Sequence, residues 1–169
     1  MILIFAIILG VVCLDQLTKG LAMVYLPDVG DSVPLWQDVF HFTRVNNPGA
    51  AWGMFSDARW VFMITSTVTI VAVLFYLIKY RPASKWLTVS LSMIVGGGIG
   101  NMIDRVYLQY VVDFFDFTLI DFPVFNVADS FVSVGAVMLI AYLVVDMIND
   151  YKKSKQSVAD GGETESDHD

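Results

Sequence analysis

The stretch "WVFMITSTVTIVAVLFYLI", Trp60–Ile78, carries no charged residue and is long enough to cross a lipid bilayer as a single α-helix. A hydrocarbon core of roughly 30 Å needs about 20 apolar residues at about 1.5 Å of rise per residue. Three further blocks of the same kind lie on either side of it. One begins "ILIFAIILGVVCL" and covers residues 2–26. The next is "LTVSLSMIVGGGIGNMI", residues 87–103, and the last covers residues 124–148. The whole chain of 169 residues is 56% hydrophobic, beyond what a water-soluble domain of this size carries. The pattern predicts an all-α membrane protein with four transmembrane helices, forming one domain over residues 1–150. Outer segments 27–59 and 104–123 connect the spans. The tail, 151–169, is polar, Gly/Ser-rich and charged, which predicts a disordered cytoplasmic extension in which His168 is not a ligand.

The formal net charge of −7 argues against a nucleic-acid partner. The distribution of cations matters more than the sum. The connection "KYRPASKW" holds Lys79, Arg81 and Lys85 without an acid, and Lys152, Lys153 and Lys155 follow the last span. The other two connections hold mostly acids, Asp28, Asp31, Asp38 and Asp57 with Arg44 and Arg59 in one, Asp104, Asp113, Asp116 and Asp121 with Arg105 in the other. The positive-inside rule then predicts both termini in the cytoplasm and the acidic connections outside. The first block lacks the basic start and the small-residue cleavage site of a removable signal peptide, so it is read as a span. Cys13, the only cysteine, is expected to be a small buried thiol within it.

Polar residues interrupt three of the spans at one depth. Asp15 lies roughly 20 Å along the first span, with Lys19 one turn on. Asn101 lies roughly 20 Å along the third, with Asp104 and Arg105 just beyond on the same face. Asn126 and Asp129, in "FNVADS", fall within roughly the first 8 Å of the fourth, which runs the opposite way. The i,i+3 and i,i+4 spacings put each set on a single helix face. An intramembrane ion pair or helix glue explains Asp15 with Lys19. It does not explain Asp129, which has no cation at helical spacing on its own segment. In "GGGIGN", Gly96 and Gly100 form a GxxxG pair that permits close helix approach.

The outer segment 27–59 alternates apolar and polar residues and turns at "NNPG", predicting short strands of a small extracytoplasmic β-sheet, with Asn47 and Gly49 framing the turn. His41 is expected to pack, and Trp36, Trp52 and Trp60 to form an interfacial belt. Asp113, in "VVDF", sits among apolar residues that oppose its ionisation. Asp116 and Asp121 read as ordinary loop carboxylates.

There is no metal-ligand cluster, Walker loop or nucleophile elbow in the sequence. The reactive groups on offer are carboxylates. Two aspartates held close share one proton, which supplies an acid and a base at one pH and can activate water against a peptide carbonyl. The same residues could instead serve a proton or ion pathway, although an uncharged second span and apolar inner halves of the third and fourth disfavour one. A non-enzymatic assembly factor, its aspartates binding partner helices, is the other alternative.

The blocks "LDQLTK", "NNPGAAWG", "GGGIGNMIDRV", "VVDF" and "FNVADS", in this order on four spans, resemble those of the lipoprotein signal peptidases (signal peptidase II) over nearly the whole chain except the tail. The resemblance implies a bacterial inner-membrane aspartic endopeptidase that removes the signal peptide of diacylglyceryl-modified prolipoproteins, cutting N-terminal to the lipidated cysteine near the outer face. By that resemblance Asp113 and Asp129 are the catalytic dyad, and Asn101, Arg105 and Asn126 line the site. Asp15, Lys19 and Asp104 support its structure, and Asn47 and Gly49 belong to the outer sheet. It implies no cofactor and no metal. The expected partners are lipid-modified precursors and membrane lipids, and the expected state is a monomer. The family block "NTGAAF" is altered here, with Pro48 for Thr and Trp52 for Phe, so a contact through the threonine hydroxyl does not apply.

Overall fold

The structure, a computed structural model, describes residues 1–49 and 59–163. Trp52, Asp57 and His168, with the sequence-based expectations attached to them, lie outside the described residues. The elements run α1 (Ile2–Tyr25), β1 (Ser32–Trp36), β2 (Phe40–Asn47), α2 (Arg59–Tyr80), α3 (Lys85–Tyr107), β3 (Val111–Asp116), a 3-10 turn (Thr118–Ile120) and α4 (Val127–Glu163). All four helices are long and apolar enough to span a membrane. Their outward side chains, such as Leu17, Val68, Phe75, Val137 and Ile140, are large and apolar. That is the surface a bundle presents to lipid rather than to water.

Helix α3 is the hub, packing on α1, α2 and α4. Its glycines set the spacing. A methyl group added at Gly96 would meet Val11 of α1, one at Gly98 would meet Ile70 of α2, and one at Gly97 would strike the carbonyl oxygen of Ala128 at the start of α4. Gly100 is closest to the polar layer: its added Cβ would lie 2.5 Å from Oδ2 of Asp15. In hydrocarbon, where apolar burial gives no preference for protein over lipid, such close backbone approach is what holds helices together. Below this layer Ile4, Ile8, Leu77, Leu91 and Val95 form the apolar core of the bundle.

The three strands form one antiparallel sheet in the order β1-β2-β3. An irregularity in the β2–β3 register between Phe42 and Val45 leaves Val45 opposite Asp113 and Asn47 opposite Val111. Phe114 and Val127 bury against Ala22 of α1, with Phe42, Phe115 and Phe131 around them, which seats the sheet on the end of the bundle. Trp36 and Trp60 are exposed, as an interfacial belt requires.

Three expectations change. Helix α3 does not stop at Ile103 but carries Asp104 and Arg105 within its last turn, because no Gly or Pro follows Asn101 to break it. The tail, expected to be disordered from Tyr151, continues α4 to Glu163. "YKKSKQ" contains only residues compatible with helix, and the first glycines come at 161–162. Cys13 is exposed on the outside of α1 rather than buried, since the inward stripe of that helix is Ile4, Ile8, Val11, Asp15 and Lys19.

Gly97→Ala should destabilise the fold by about 1–3 kcal/mol, the usual cost of forcing a methyl into a packed site, because the clashing atom is backbone and cannot turn away. Gly10→Ala meets nothing within 4 Å and, by removing a mid-helix glycine, should leave stability equal or slightly raised. Thermal unfolding of both variants in detergent checks this; equal melting temperatures would contradict the packing described.

Candidate active site

"FNVADS" begins α4, and its polar residues cap the helix. Asn126 precedes the first helical residue, and its Oδ1 accepts the backbone N–H of Asp129 at 3.0 Å. Asp129 returns the bond, its Oδ2 accepting the Asn126 N–H at 3.3 Å. This reciprocal arrangement is a capping box, which satisfies two of the N–H groups every helix start leaves open. It also fixes Asp129 on a rigid element at the positive end of the helix dipole.

The rest of each side chain is committed elsewhere. The Asn126 amide donates to Oδ1 of Asp113 at 2.6 Å and to Oδ1 of Asn101 at 3.0 Å. The Asn101 amide donates to Oδ1 of Asp129 at 2.7 Å. Two asparagines thus link the two aspartates, one carboxylate at each end. The second oxygen of Asp113 accepts from the Asn47 amide at 2.9 Å. Asn47 is held for this by its own turn, its Oδ1 accepting the Gly49 N–H at 3.0 Å. Such an Asx turn suits Pro48 at its centre, which explains how a proline stands there without disturbing Asn47.

A third layer lies behind. The Lys19 ammonium makes three contacts of 2.9 Å, to Asp15, Asp104 and Oδ1 of Asn101. Lys19, Asp15 and Asp104 are all buried. The second oxygen of Asp15 caps α4 from outside, accepting the Ala128 N–H at 2.9 Å. Asp104 accepts the Val112 N–H at 3.1 Å and so ties α3 to β3 beside Asp113. Gln16, which the sequence reading passed over, donates to Asp15, to Asp104 and to the Gly100 carbonyl. No periodicity marks it, because it joins two acids that are neighbours only in the folded chain.

Asp113, Asp129, Asn101, Arg105, Asn47 and Gly49 line one cavity of about 670 Å³ whose far wall is apolar, with Phe122, Val124 and Val134. Asn126, Asp15, Lys19 and Asp104 sit behind that surface. Every residue singled out from the sequence as a site candidate therefore converges on one place. His41 does not; it faces Ser32 at 3.2 Å and pairs in register with Asp116. Burial, and then the charge of Asp129, push the Asp113 carboxyl up to about 7 against the opposing bonds from Asn47 and Asn126. Among the described residues no group of three or more His, Cys, Asp or Glu side chains is placed to hold a metal ion.

Four membrane-spanning helices topped by a three-stranded sheet are the architecture of a known class of bacterial membrane enzyme. Two solved bacterial membrane enzymes superpose on this chain with TM-scores of 0.79 and 0.74, each at 34% identity; the first match covers 86% of this chain and 90% of its counterpart, the second 83% and 91%. The family model "Signal peptidase (SPase) II" matches residues 7–145, and the chain belongs to that family. It is accordingly a protease. Relatives called lipoprotein signal peptidase include those of Brevibacillus brevis, 40% identical over 86% of this chain and 94% of its own, and Halothermothrix orenii, 43% identical over 83% and 94%.

Asp15→Ala removes one partner of a buried ion pair and a helix cap at once. It should destabilise the protein by about 3–5 kcal/mol, measured as lower folded yield and melting temperature in detergent. Wild-type yield and melting would contradict the structural role of the Asp15 contacts.

Proposed function

We propose that this chain is an intramembrane aspartic endopeptidase that cleaves diacylglyceryl-modified prolipoproteins immediately N-terminal to the lipidated cysteine, with Asp113 and Asp129 jointly activating water. The observation that carries the reading is the pair of asparagine bridges. They hold two carboxyl groups from different elements, β3 and the start of α4, on one cavity wall, and among the described residues no salt bridge ties a cation to either. The relatives' name, lipoprotein signal peptidase, supports the substrate class. So does the cavity, which sets a polar wall against an apolar one, as a peptide bond close to acyl chains requires.

In the proposed mechanism Asp113 carries the shared proton and Asp129 is ionised. Asp129 takes a proton from water as the oxygen attacks the scissile carbonyl, and the Asp113 hydroxyl hydrogen-bonds the developing oxyanion. Collapse of the tetrahedral intermediate breaks the C–N bond, and the proton held by Asp129 passes to the leaving amine. Asn101 and Asn126 keep both carboxyls in place throughout. Arg105, half-buried at the cavity edge, contributes a positive charge near the oxyanion and the substrate backbone.

The placement of cations supports an orientation with both termini and the α2–α3 turn in the cytoplasm, in a bacterial inner membrane. The polar layer then lies near the outer face, level with the bond to be cut in a precursor anchored by its lipid. The reading requires no metal or cofactor and no second copy of the chain. The precursor and the surrounding lipid are its partners.

Asp113→Asn and Asp129→Asn should each lower cleavage of a lipidated precursor in detergent by at least roughly 10²-fold, the lower range for loss of general acid–base catalysis, without loss of folded yield. Undiminished cleavage by both would remove the dyad. The pH profile is a separate check. An acid whose value is raised to about 7 keeps its proton below that pH and loses it above, so kcat/KM should fall on the alkaline side with a limb near pH 7. A profile flat from about pH 6 to about pH 9 would contradict the role given to Asp113.

A further inference from the structure

We propose that Lys19 is a positioning residue of the active site, its ammonium holding the side-chain carbonyl of Asn101 so that the Asn101 amide is presented to Asp129. This rests on the dyad reading above and assigns Lys19 a part in the reaction beyond tying helices together.

An asparagine amide can sit in either of two orientations that differ by a half-turn, exchanging an acceptor for a donor. For Asn101 the choice is decisive. With its NH₂ toward Asp129 it donates to a carboxylate at 2.7 Å. Turned over, it would set oxygen against oxygen. Lys19 removes the choice, because an ammonium has three donors and no acceptor, so only the Asn101 oxygen can face it. The effect passes one residue further. The same Asn101 oxygen accepts from the Asn126 amide, which also donates to Asp113. The Asn126 orientation is set independently by the Asp129 N–H on its oxygen. Asn101 is therefore oriented jointly by the Asn126 amide and by Lys19, and Lys19 is the charged one of the two donors on its oxygen.

A buried ammonium needs an acceptor for its third donor, and the acceptor here is a side-chain oxygen bonded onward to the dyad rather than a backbone carbonyl. Asp15 and Asp104 already match its charge, and Gln16 is a second donor to both acids. The ammonium directs its remaining N–H to a neutral oxygen one bond from a catalytic candidate. Lys19 also acts through space. Asp113 is faced by Asp129 of α4, by Lys19 of α1, by Arg105 of α3, and by the amides of Asn47 and Asn126, and the Lys19 charge opposes the upward push on Asp113.

The test uses the full-length protein in detergent with a lipidated precursor. Lys19→Met should lower kcat roughly 10- to 100-fold, as loss of partners one bond removed from a reacting group does. It should also move the alkaline limb of the pH profile to higher pH, because a cation near Asp113 is gone. Asp15→Asn/Lys19→Met keeps the net charge of the cluster and an acceptor for the Ala128 N–H; it should recover folded yield but not kcat. Lys19→Arg, which keeps the charge and donors in a bulkier head, should return the limb toward its original pH. Folded Lys19→Met protein with wild-type kcat and an unmoved limb would overturn the proposal. So would failure of both Met variants to fold, which would assign Lys19 to stability alone. If Asp113→Asn and Asp129→Asn retain cleavage, the dyad reading fails. If they abolish it and Lys19→Met does not slow it, only this inference fails.

Discussion

A buried ammonium in a membrane has no water to solvate it, and the arrangement of this protein around Lys19 follows from that constraint. An ion at this depth is tolerated only when the protein supplies its whole coordination. Lys19 obtains it from Asp15 on its own helix and from Asp104 and Asn101 on α3, each at 2.9 Å. The two carboxylates outnumber the one cation, so their remaining oxygens need donors. The second oxygen of Asp15 takes the backbone N–H of Ala128 at the start of α4, that of Asp104 takes the Gln16 amide, and the Asp104 oxygen facing Lys19 also accepts the N–H of Val112 at the start of β3. Satisfying one lysine thus places the two segments that bear Asp129 and Asp113. Close approach makes this possible: Gly100 of α3 leaves the space in which the Asp15 carboxylate lies.

The candidate catalytic groups have structural duties too. Asp129 closes a capping box and Asp113 anchors the turn of β2 through Asn47. Helix ends and strands hold a side chain more exactly than loops do, and each group here is locked by a second hydrogen bond. The arrangement has an energetic cost. Packing two acids against each other in an apolar wall resists ionisation, and the raised value of Asp113 records that resistance. A fold under selection for stability alone would place amides at both positions. Retaining carboxyls there stores chemical reactivity at the expense of stability.

Much of this was legible in the sequence because the membrane simplifies its code. Span number follows from apolar length, and depth follows from the rise per residue, so Asp15, Asn101 and Asp129 could be placed in one layer before any coordinates. Spacing at i+3 and i+4 then gave the shared faces of Lys19, Asp104 and Arg105. Contacts set by tertiary geometry were beyond such reasoning. Gln16 carries no spacing signal. The sheet register that brings Asn47 to Asp113 depends on an irregularity near Phe42. GxxxG spacing pointed to Gly96 and Gly100, yet Gly97, between them, meets the backbone of α4. In a helix surrounded on three sides, each successive glycine faces a different neighbour. Cys13 was misplaced for a related reason: inside a membrane, apolar character no longer separates core from surface, and only polar residues mark the inward face.

That asymmetry bears on how a substrate reaches the site. Asp113 lines the cavity beneath the sheet but not a second cavity of about 310 Å³ between α2, α3 and α4, which Asp129, Asn101 and Arg105 also line. Helix α2, which forms one wall of this second cavity, packs chiefly on α3. Its α2 wall bears Thr65, Ser66 and Thr69, and the threonine hydroxyls donate to carbonyls one turn back. Arg105 stands where the two cavities meet. A peptide chain passing from the second cavity toward the sheet would therefore encounter Asp129 and Arg105 before Asp113. On the proposed reading, the ionised carboxylate and the cation meet the incoming backbone first, and the proton-bearing carboxyl lies further in, beside the oxygen that becomes charged.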